Sequence, residues 1–414
     1  MRDKQSSKGE PAVPGVFACG AQTSTDCQML SNESLHLSTT TVLGSTREHT
    51  PRAAPALRCF DRRSMLSLAG FHPLDQFARA HRISYVEDKI IQMQQVTLKH
   101  TDLKVPRLCF GTMTFGKPVD QQTATAMVAR CIDAGINFFD TANIYQTGVS
   151  EEMTGNALAG RRDKVMLASK VRGKMSDAPG DSGLSKRAMR KGIEDSLRRL
   201  KTDYLDLYYL HQPDYDTPIE ETLETMDALV REGKVRYPAT SNYSGWQVVE
   251  MIKFAEQKGY TPAYISQPMY NLLARGIEQE YLPMAKRYGV SIIAYNPLAG
   301  GMLTGKHRPQ VVPPGTRFDK NKMYQDRYWH EENFRAVERL KEVAEKAGRS
   351  LISLSFGWLL HHTVTDCVLL GASSPEQLEQ NLLACLDGPL PPAALEVCDG
   401  VWHELRDPVP VYNR

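Results

Sequence analysis

No stretch of the 414 residues is long and apolar enough to span a bilayer, and the amino terminus lacks the basic segment and apolar run of a secretory signal. Membrane insertion and export are therefore not expected. Net charge is small: of 50 Lys plus Arg and 48 Asp plus Glu, eleven and nine fall in residues 1–92, leaving 39 of each in residues 93–414. That balance favours neither nucleic acid nor an anionic membrane as partner. The eight cysteines, at 19, 27, 59, 109, 131, 367, 385 and 398, form no CxxC and no pairing framework. They read as reduced thiols of a cytoplasmic protein, several of them small core residues. Ligand spacing gives no support for a metal; His361 and His362 close a helix without a third ligand near them and read as structural. Also missing is a GxGxxG phosphate turn: GTMTFG at 111–116 does not fit it, which counts against a doubly wound open sheet.

Residues 1–92 are rich in Ser, Thr, Gly, Pro and Arg and read as a disordered extension, or as sequence upstream of a start at Met93. A mitochondrial transit peptide is the remaining reading, and Asp3, Glu10, Asp26, Glu33 and Glu48 count against it. A short helix over 65–80 is the only local structure expected there. From Met93 onward apolar strand-like runs alternate with helical patterns. Strands are expected at 105–113, 137–140, 165–170, 204–210, 235–241, 263–267, 291–295 and 367–370. Helices are expected at 121–134, 150–159, 185–199, 219–232, 245–258, 277–288, 333–347, 350–361 and 375–384, with a long loop after 295. Ser150 suits an N-cap, Glu151 and Glu152 place acid in that helix's first turn, and Gly233 suits a C-terminal cap. Eight strand and helix pairs predict a closed (β/α)8 TIM barrel over 93–414, with one more helix near 392–405 added outside.

Three successive strands end in chemically capable residues. NFFDTANIYQTGVS (137–150) carries Asp140 and Tyr145, VMLASK stops at Lys170, and YLDLYYLH stops at His211. Carboxyl ends of parallel strands converge on one face, so an acid, a phenol, an ammonium and an imidazole meet there although far apart in sequence. Each alone has an ordinary reading: a loop-capping carboxylate, a half-buried tyrosine, a surface lysine, a satisfied histidine. Their joint placement at strand ends favours function.

The stretches GTMTFG, FFDTANIYQTGVSE, ASK, LYYLHQPD, SNYSGW, YNPLAGGMLTGK and LLGASSPEQLEQN together resemble the aldo-keto reductases, over nearly all of 93–414. TPIEETL, QPMYN, DRYWHEENF and the terminal PVPVYNR are most similar to the aflatoxin aldehyde and succinic semialdehyde reductase branch. One departure is Pro238 in VRYPATSNY, which removes a backbone donor from a strand and leaves its register open. The resemblance implies an oxidoreductase that reduces aldehydes or ketones to alcohols with NADPH rather than NADH. Tyr145 would be the general acid, Lys170 would lower its pKa, Asp140 would hold Lys170 charged, and His211 would orient the carbonyl oxygen.

By the same resemblance the dinucleotide lies extended across the barrel mouth. Ser241, Asn242 and Gln267 would hold its carboxamide and Tyr295 would stack on its ring, with Gly111, Thr112, Met113, Asn296, Pro297, Leu298 and Leu303 nearby. Gly300, Gly301 and Gly305 would let backbone approach the pyrophosphate, with Lys306 and Arg317 supplying charge. Gly371, Ser373, Gln377, Gln380 and Asn381 would surround the adenosine end, where 371–381 carries no Lys or Arg to clamp a 2′-phosphate. Arg327 and Arg414 would grip a carboxylate on the small-molecule carbonyl substrate, with Met113, Tyr237 and Trp329 as pocket walls. A homodimer is suggested by likeness alone. Two other classes stay open: a non-catalytic NADPH-binding barrel acting as redox sensor or partner subunit, and a Schiff-base lyase or aldolase using Lys170.

Overall fold

A computed structural model describes residues 94–407; the expected helix over 65–80 and Arg414 lie outside the described residues. Eight parallel strands close into a barrel, β3 (Leu108–Gly111), β4 (Phe138–Asp140), β5 (Met166–Val171), β6 (Leu205–Leu210), β7 (Val235–Ser241), β8 (Ile265–Gln267), β9 (Ser291–Ala294) and β10 (Cys367–Gly371), which pairs back onto β3. An antiparallel hairpin, β1 (Gln95–Thr97) and β2 (Lys104–Pro106), precedes them. The run expected as one strand over 105–113 is thus two, belonging to the hairpin and to the barrel.

Two apolar layers follow from strand alternation. Cys109, Phe138, Met166, Ala168, Leu207, Tyr209, Ala239, Ile265, Ile293 and Cys367 point inward and pack with Leu98, Leu103 and Val105 of the hairpin region. Their neighbours, among them Phe110, Phe139, Leu167, Tyr208 and Ile292, point outward into the core shared with the helices. Side chains recur on one face every second residue, so the next inward position toward the carboxyl end is Gly111, Asp140, Lys170, His211, Ser241, Gln267 and Tyr295, and on β10, beyond Leu369, Gly371. The period that fills the barrel therefore also brings the candidate site residues to one rim.

Helices cover the outside at Gln121–Asp133, Val149–Ala157, Lys186–Leu200, Ile219–Arg231, Gly245–Lys258, Tyr281–Tyr288, Glu331–Lys346, Leu351–His361 and Pro375–Ala384, with Pro392–Arg406 added beyond the repeats. Local chemistry starts several of them: Ser185 accepts from the Ala188 amide (3.3 Å), and Ser350 from Ser353 (3.1 Å). Pro238 sits in β7 opposite Tyr208 without breaking the ladder, so the register left open by its missing N–H is regular. The loop after β9 is more ordered than expected, carrying a 3-10 turn at Ala299–Thr304 and a short helix at Lys322–Tyr328. His362 accepts from the Leu390 amide (2.8 Å), a structural role as expected. No helix among the described residues is long and apolar enough to cross a membrane.

Ser150 is not an N-cap. The helix begins at Val149 after Gly148, and Ser150 is buried inside its first turn. Farther along, Gly155 packs against the end of helix Lys186–Leu200, where an added Cβ would lie 2.7 Å from the Leu200 carbonyl carbon and oxygen. Gly155→Ala is therefore expected to destabilise the fold by about 1–3 kcal/mol, because the obstacle is backbone. A urea midpoint equal to wild type would contradict that contact.

Candidate active site

Lys170 and Asp140 are both fully buried and form an ion pair through Nζ and Oδ1. Nζ also donates to the Thr141 carbonyl (2.7 Å) and lies 3.5 Å from the Tyr145 hydroxyl. The other Asp140 oxygen accepts from Gln267 Nε2 (2.9 Å), which ties β8 to β4 across the barrel. Tyr145 sits at the start of a short turn after β4 and meets the His211 ring edge-on, centroids 5.9 Å apart and planes at 80°. The four residues that sequence placed at strand ends are brought together.

Their electrostatics differ in one respect from expectation. Burial pushes the Tyr145 phenol up, and the Lys170 ammonium pulls against this without overcoming it, so the net direction is upward rather than down. Desolvation, which composition does not reveal, outweighs the ammonium. For Lys170 burial works against the charged form, but Asp140 and Tyr145 outweigh it and hold the ammonium above its ordinary range. His211 is pushed down to about 3 by burial, with the Lys170 and Arg172 charges adding to it, so its ring is neutral at physiological pH.

A folded histidine depressed below its unfolded value binds fewer protons than the unfolded chain between the two, so its contribution to stability is lost as pH falls from about 6.5 toward about 3. We expect the ring signals of His211, assigned with His211→Gln, to show no titration near the ordinary value. A midpoint near that value would show the ring to be solvated.

Behind the four lies a polar layer that sequence reading missed. Ser150 Oγ donates to the Thr112 carbonyl (2.7 Å) and approaches the Thr141 hydroxyl (3.0 Å), while Thr154 donates to Thr112 Oγ1 (3.1 Å). Glu151, expected as an acid in the helix's first turn, is there and is buried; it accepts from Ser169 Oγ (2.5 Å) and pairs with Arg199 (2.7 Å). These groups fix the strand ends beside Lys170. Their only sequence signal was hydroxyl and acid inside an otherwise apolar helix face.

The residues expected to hold a dinucleotide fall into two sets. Tyr295, half-buried, donates to Asn242 Oδ1 (2.8 Å), and Ser241 Oγ donates to the Gln267 carbonyl (2.8 Å), so these four stand together at the ends of β7, β8 and β9. Gly300, Gly301 and Gly305, with φ of 69°, 104° and 71°, form bare backbone at the same rim, beside exposed Lys306 and half-buried Arg317. Exposed amide, bare backbone and cationic side chains suit a carboxamide and a pyrophosphate. Gly371 ends β10, and Ser373 and Gln377 follow it in the next loop and helix, where Gln377 accepts from Ser373 (2.8 Å); Gln380 is exposed one turn on, Leu298 is half-buried and Met113 exposed. The second set is committed to structure. Gly111 is buried, the Thr112 hydroxyl is bonded behind the rim, Pro297 and Leu303 are buried, Asn296 accepts from the Gly300 amide (2.6 Å), and Asn381 donates to the Gly371 carbonyl (3.0 Å).

Of the expected substrate contacts, Tyr237 is misplaced. It lies one inward position below Ala239 and two below Ser241, and its hydroxyl donates to Asp102 at the hairpin turn (2.9 Å), at the opposite end of the barrel. Trp329 donates to the Pro309 carbonyl (3.2 Å) and packs on His307, Phe318 and Phe334, forming the core of the long loop rather than a pocket wall. Arg317 and Arg327 flank the Tyr324 ring at 5.5 Å and 5.8 Å, and Arg317 reaches Met113 Sδ (3.2 Å).

A closed parallel barrel with polar side chains gathered at its strand carboxyl ends defines a (β/α)8-barrel enzyme. The sequence profile of the Aldo/keto reductase family matches residues 107–403, and the chain belongs to that family. It is 36% identical over 328 residues, 75% of this chain and 88% of the other, to the rat protein Aflatoxin B1 aldehyde reductase member 2. It is 35% identical to the human Aldo-keto reductase family 7 member A3, covering 75% and 97%, and 35% identical to a rice Probable voltage-gated potassium channel subunit beta, covering 70% and 91%. The chain is accordingly a nicotinamide-dependent oxidoreductase acting on carbonyl compounds.

Proposed function

We propose that the protein reduces aldehydes to alcohols with NADPH, using Tyr145 as general acid. The supporting observation is the Tyr145 hydroxyl 3.5 Å from a buried Lys170 ammonium and edge-on to a neutral His211 ring. The cofactor, when bound, supplies the hydride. Tyr145 Oη gives its proton to the carbonyl oxygen as negative charge grows there; an alkoxide is a far stronger base than a phenolate, so transfer runs downhill even from a raised phenol. His211, neutral, donates a ring N–H to the same oxygen, and Lys170 stabilises the phenolate left behind. Asp140, Thr141 and Gln267 keep Lys170 charged and aimed. A lysine so held is a poor amine nucleophile, which weighs against Schiff-base chemistry.

NADPH is preferred to NADH in this reading because Lys306 and Arg317 supply cations beside the glycine turn, where residues 371–381 carry none. An aldehyde carrying a carboxylate, such as succinic semialdehyde, suits a mouth bordered by arginines. The reading includes residues 93–414 as the catalytic domain, a cytoplasmic location and a homodimer, the last testable by light scattering. A second reading, a nicotinamide-binding barrel that serves a partner protein, draws support from the name of the rice relative.

The test is absorbance decay of NADPH, then of NADH, with succinic semialdehyde. Turnover with a kcat/KM at least about tenfold higher for NADPH, a difference near 1.4 kcal/mol, is expected. Tight NADPH binding without turnover on any aldehyde would move the conclusion to the partner reading.

A further inference from the structure

We infer that Arg172 selects the substrate: its guanidinium binds a carboxylate carried on the aldehyde, beside His211. The inference rests on the reading of Tyr145 and His211 as the pair that faces the carbonyl oxygen.

Position comes first. Arg172 directly follows β5, two residues beyond Lys170. Val171 is in register with Leu210, and the His211 amide donates to the Val171 carbonyl (3.0 Å), so Arg172 and His211 stand side by side on the rim. In the strand order of the eight-membered barrel β5 lies four places from β9, hence diametrically across it. Arg317 and Arg327 belong to the loop after β9, with Tyr295 and the glycine turn, on the side proposed for the cofactor. Arg172 is on the other side.

The backbone is unusual there. Arg172 has a φ of 133°, a conformation that strains an L side chain and that glycine adopts freely. The Arg172 carbonyl accepts from the Gly183 amide (3.0 Å), which closes the loop over 172–183. A glycine would serve that turn with less strain; the strained arginine brings a side chain to the rim.

The side chain is also uncommitted. Nε is buried without a partner, and the guanidinium makes no ion pair or hydrogen bond among the described residues. Arg172 and Asn143, whose Oδ1 is equally unpartnered, line a cavity of about 20 Å³, room for a single water and far too small for a substrate. A ligand must therefore meet the terminal amino groups from the barrel mouth. Asp214, whose carboxylate feels the Arg172 charge, accepts at Oδ2 from the Leu184 amide (2.7 Å) and the Thr217 hydroxyl (2.8 Å) and makes no hydrogen bond or ion pair with Arg172. Asp140 is paired with Lys170, which leaves Arg172 without an ion-pair partner beside His211. A planar guanidinium with two free amino groups matches a carboxylate bidentately.

The test uses the full chain with Arg172→Met, Arg172→Lys and, for comparison, Arg327→Met. With NADPH, KM for succinic semialdehyde should rise about tenfold or more in Arg172→Met with kcat little changed, while 4-nitrobenzaldehyde, which has no carboxylate, loses much less. Arg172→Lys should recover part of the loss. Calorimetric titration of the NADPH-loaded protein with succinate, a non-reacting dicarboxylate, should weaken in parallel. Equal losses on both aldehydes would mean that Arg172 only shapes its loop, and unchanged constants would mean that it touches no substrate; either overturns the inference. If neither aldehyde is reduced by the native protein, the reading of the site fails while the titration still decides. Succinate binding lost in Arg172→Met supports the anchor, and binding unchanged or absent from the outset overturns it.

Discussion

Tyr145→Phe is expected to lower kcat for aldehyde reduction by about 100- to 10,000-fold, the range a positioned general acid supplies, with little change in cofactor affinity. The substitution removes one oxygen. It leaves the Lys170–Asp140 pair, the Gln267 bond and the His211 ring in place, so a loss in kcat reports the proton donor rather than the scaffold. The pH dependence has a definite sign. Tyr145 acts in its protonated form and burial holds that proton above the ordinary phenol range near ~10, so kcat should be level through neutrality and fall only at high pH. His211, neutral down to about 3, adds no inflection between. A mutant retaining more than a tenth of native kcat would mean that another group or water protonates the product.

Asp140→Asn should show the second large effect, on stability and activity together. Lys170 would then be a fully buried ammonium without its counter-charge, and breaking one partner out of such a pair costs about 3–5 kcal/mol. With the balancing carboxylate gone, burial dominates and Lys170 moves toward its neutral form, weakening its support for the Tyr145 phenolate. Adding Lys170→Met to Asp140→Asn should restore much of the stability, because no uncompensated charge remains, and none of the activity. Guanidinium midpoints and kcat for the two variants separate these roles. A single mutant as stable as wild type would show that the pair contributes nothing net to the fold.

The barrel was legible because each strand announced itself as a short apolar run and each helix as a periodic one. The candidate site was legible for a related reason. Asp140, Lys170 and His211 are polar residues at the carboxyl ends of buried strands, where only a rim position tolerates them. Depth along a strand was less visible: Tyr237 looked like a rim residue in the sequence, and only the register, with Ala239 and Ser241 above it, places it at the hairpin end. Ser150 and Glu151 carry the composition of a helix start, yet a start one residue earlier turns both inward, toward Thr112 and toward Ser169 and Arg199. The hairpin was missed because Lys99, His100 and Asp102 fill its turn and leave each strand only three residues long. The direction of the Tyr145 shift was misjudged because a neighbouring charge can be counted in a sequence, whereas desolvation depends on packing.

Hydride transfer at this rim is tested most directly by a single turnover. The full chain, loaded with one equivalent of NADPH, is mixed with excess succinic semialdehyde, and the loss of reduced-cofactor absorbance is followed for the native protein and for Tyr145→Phe. Rapid loss of the full equivalent in the native protein, slowed at least about 100-fold in the mutant, is the predicted result. Bound NADPH that survives the mixing, or equal rates in both proteins, would contradict the account.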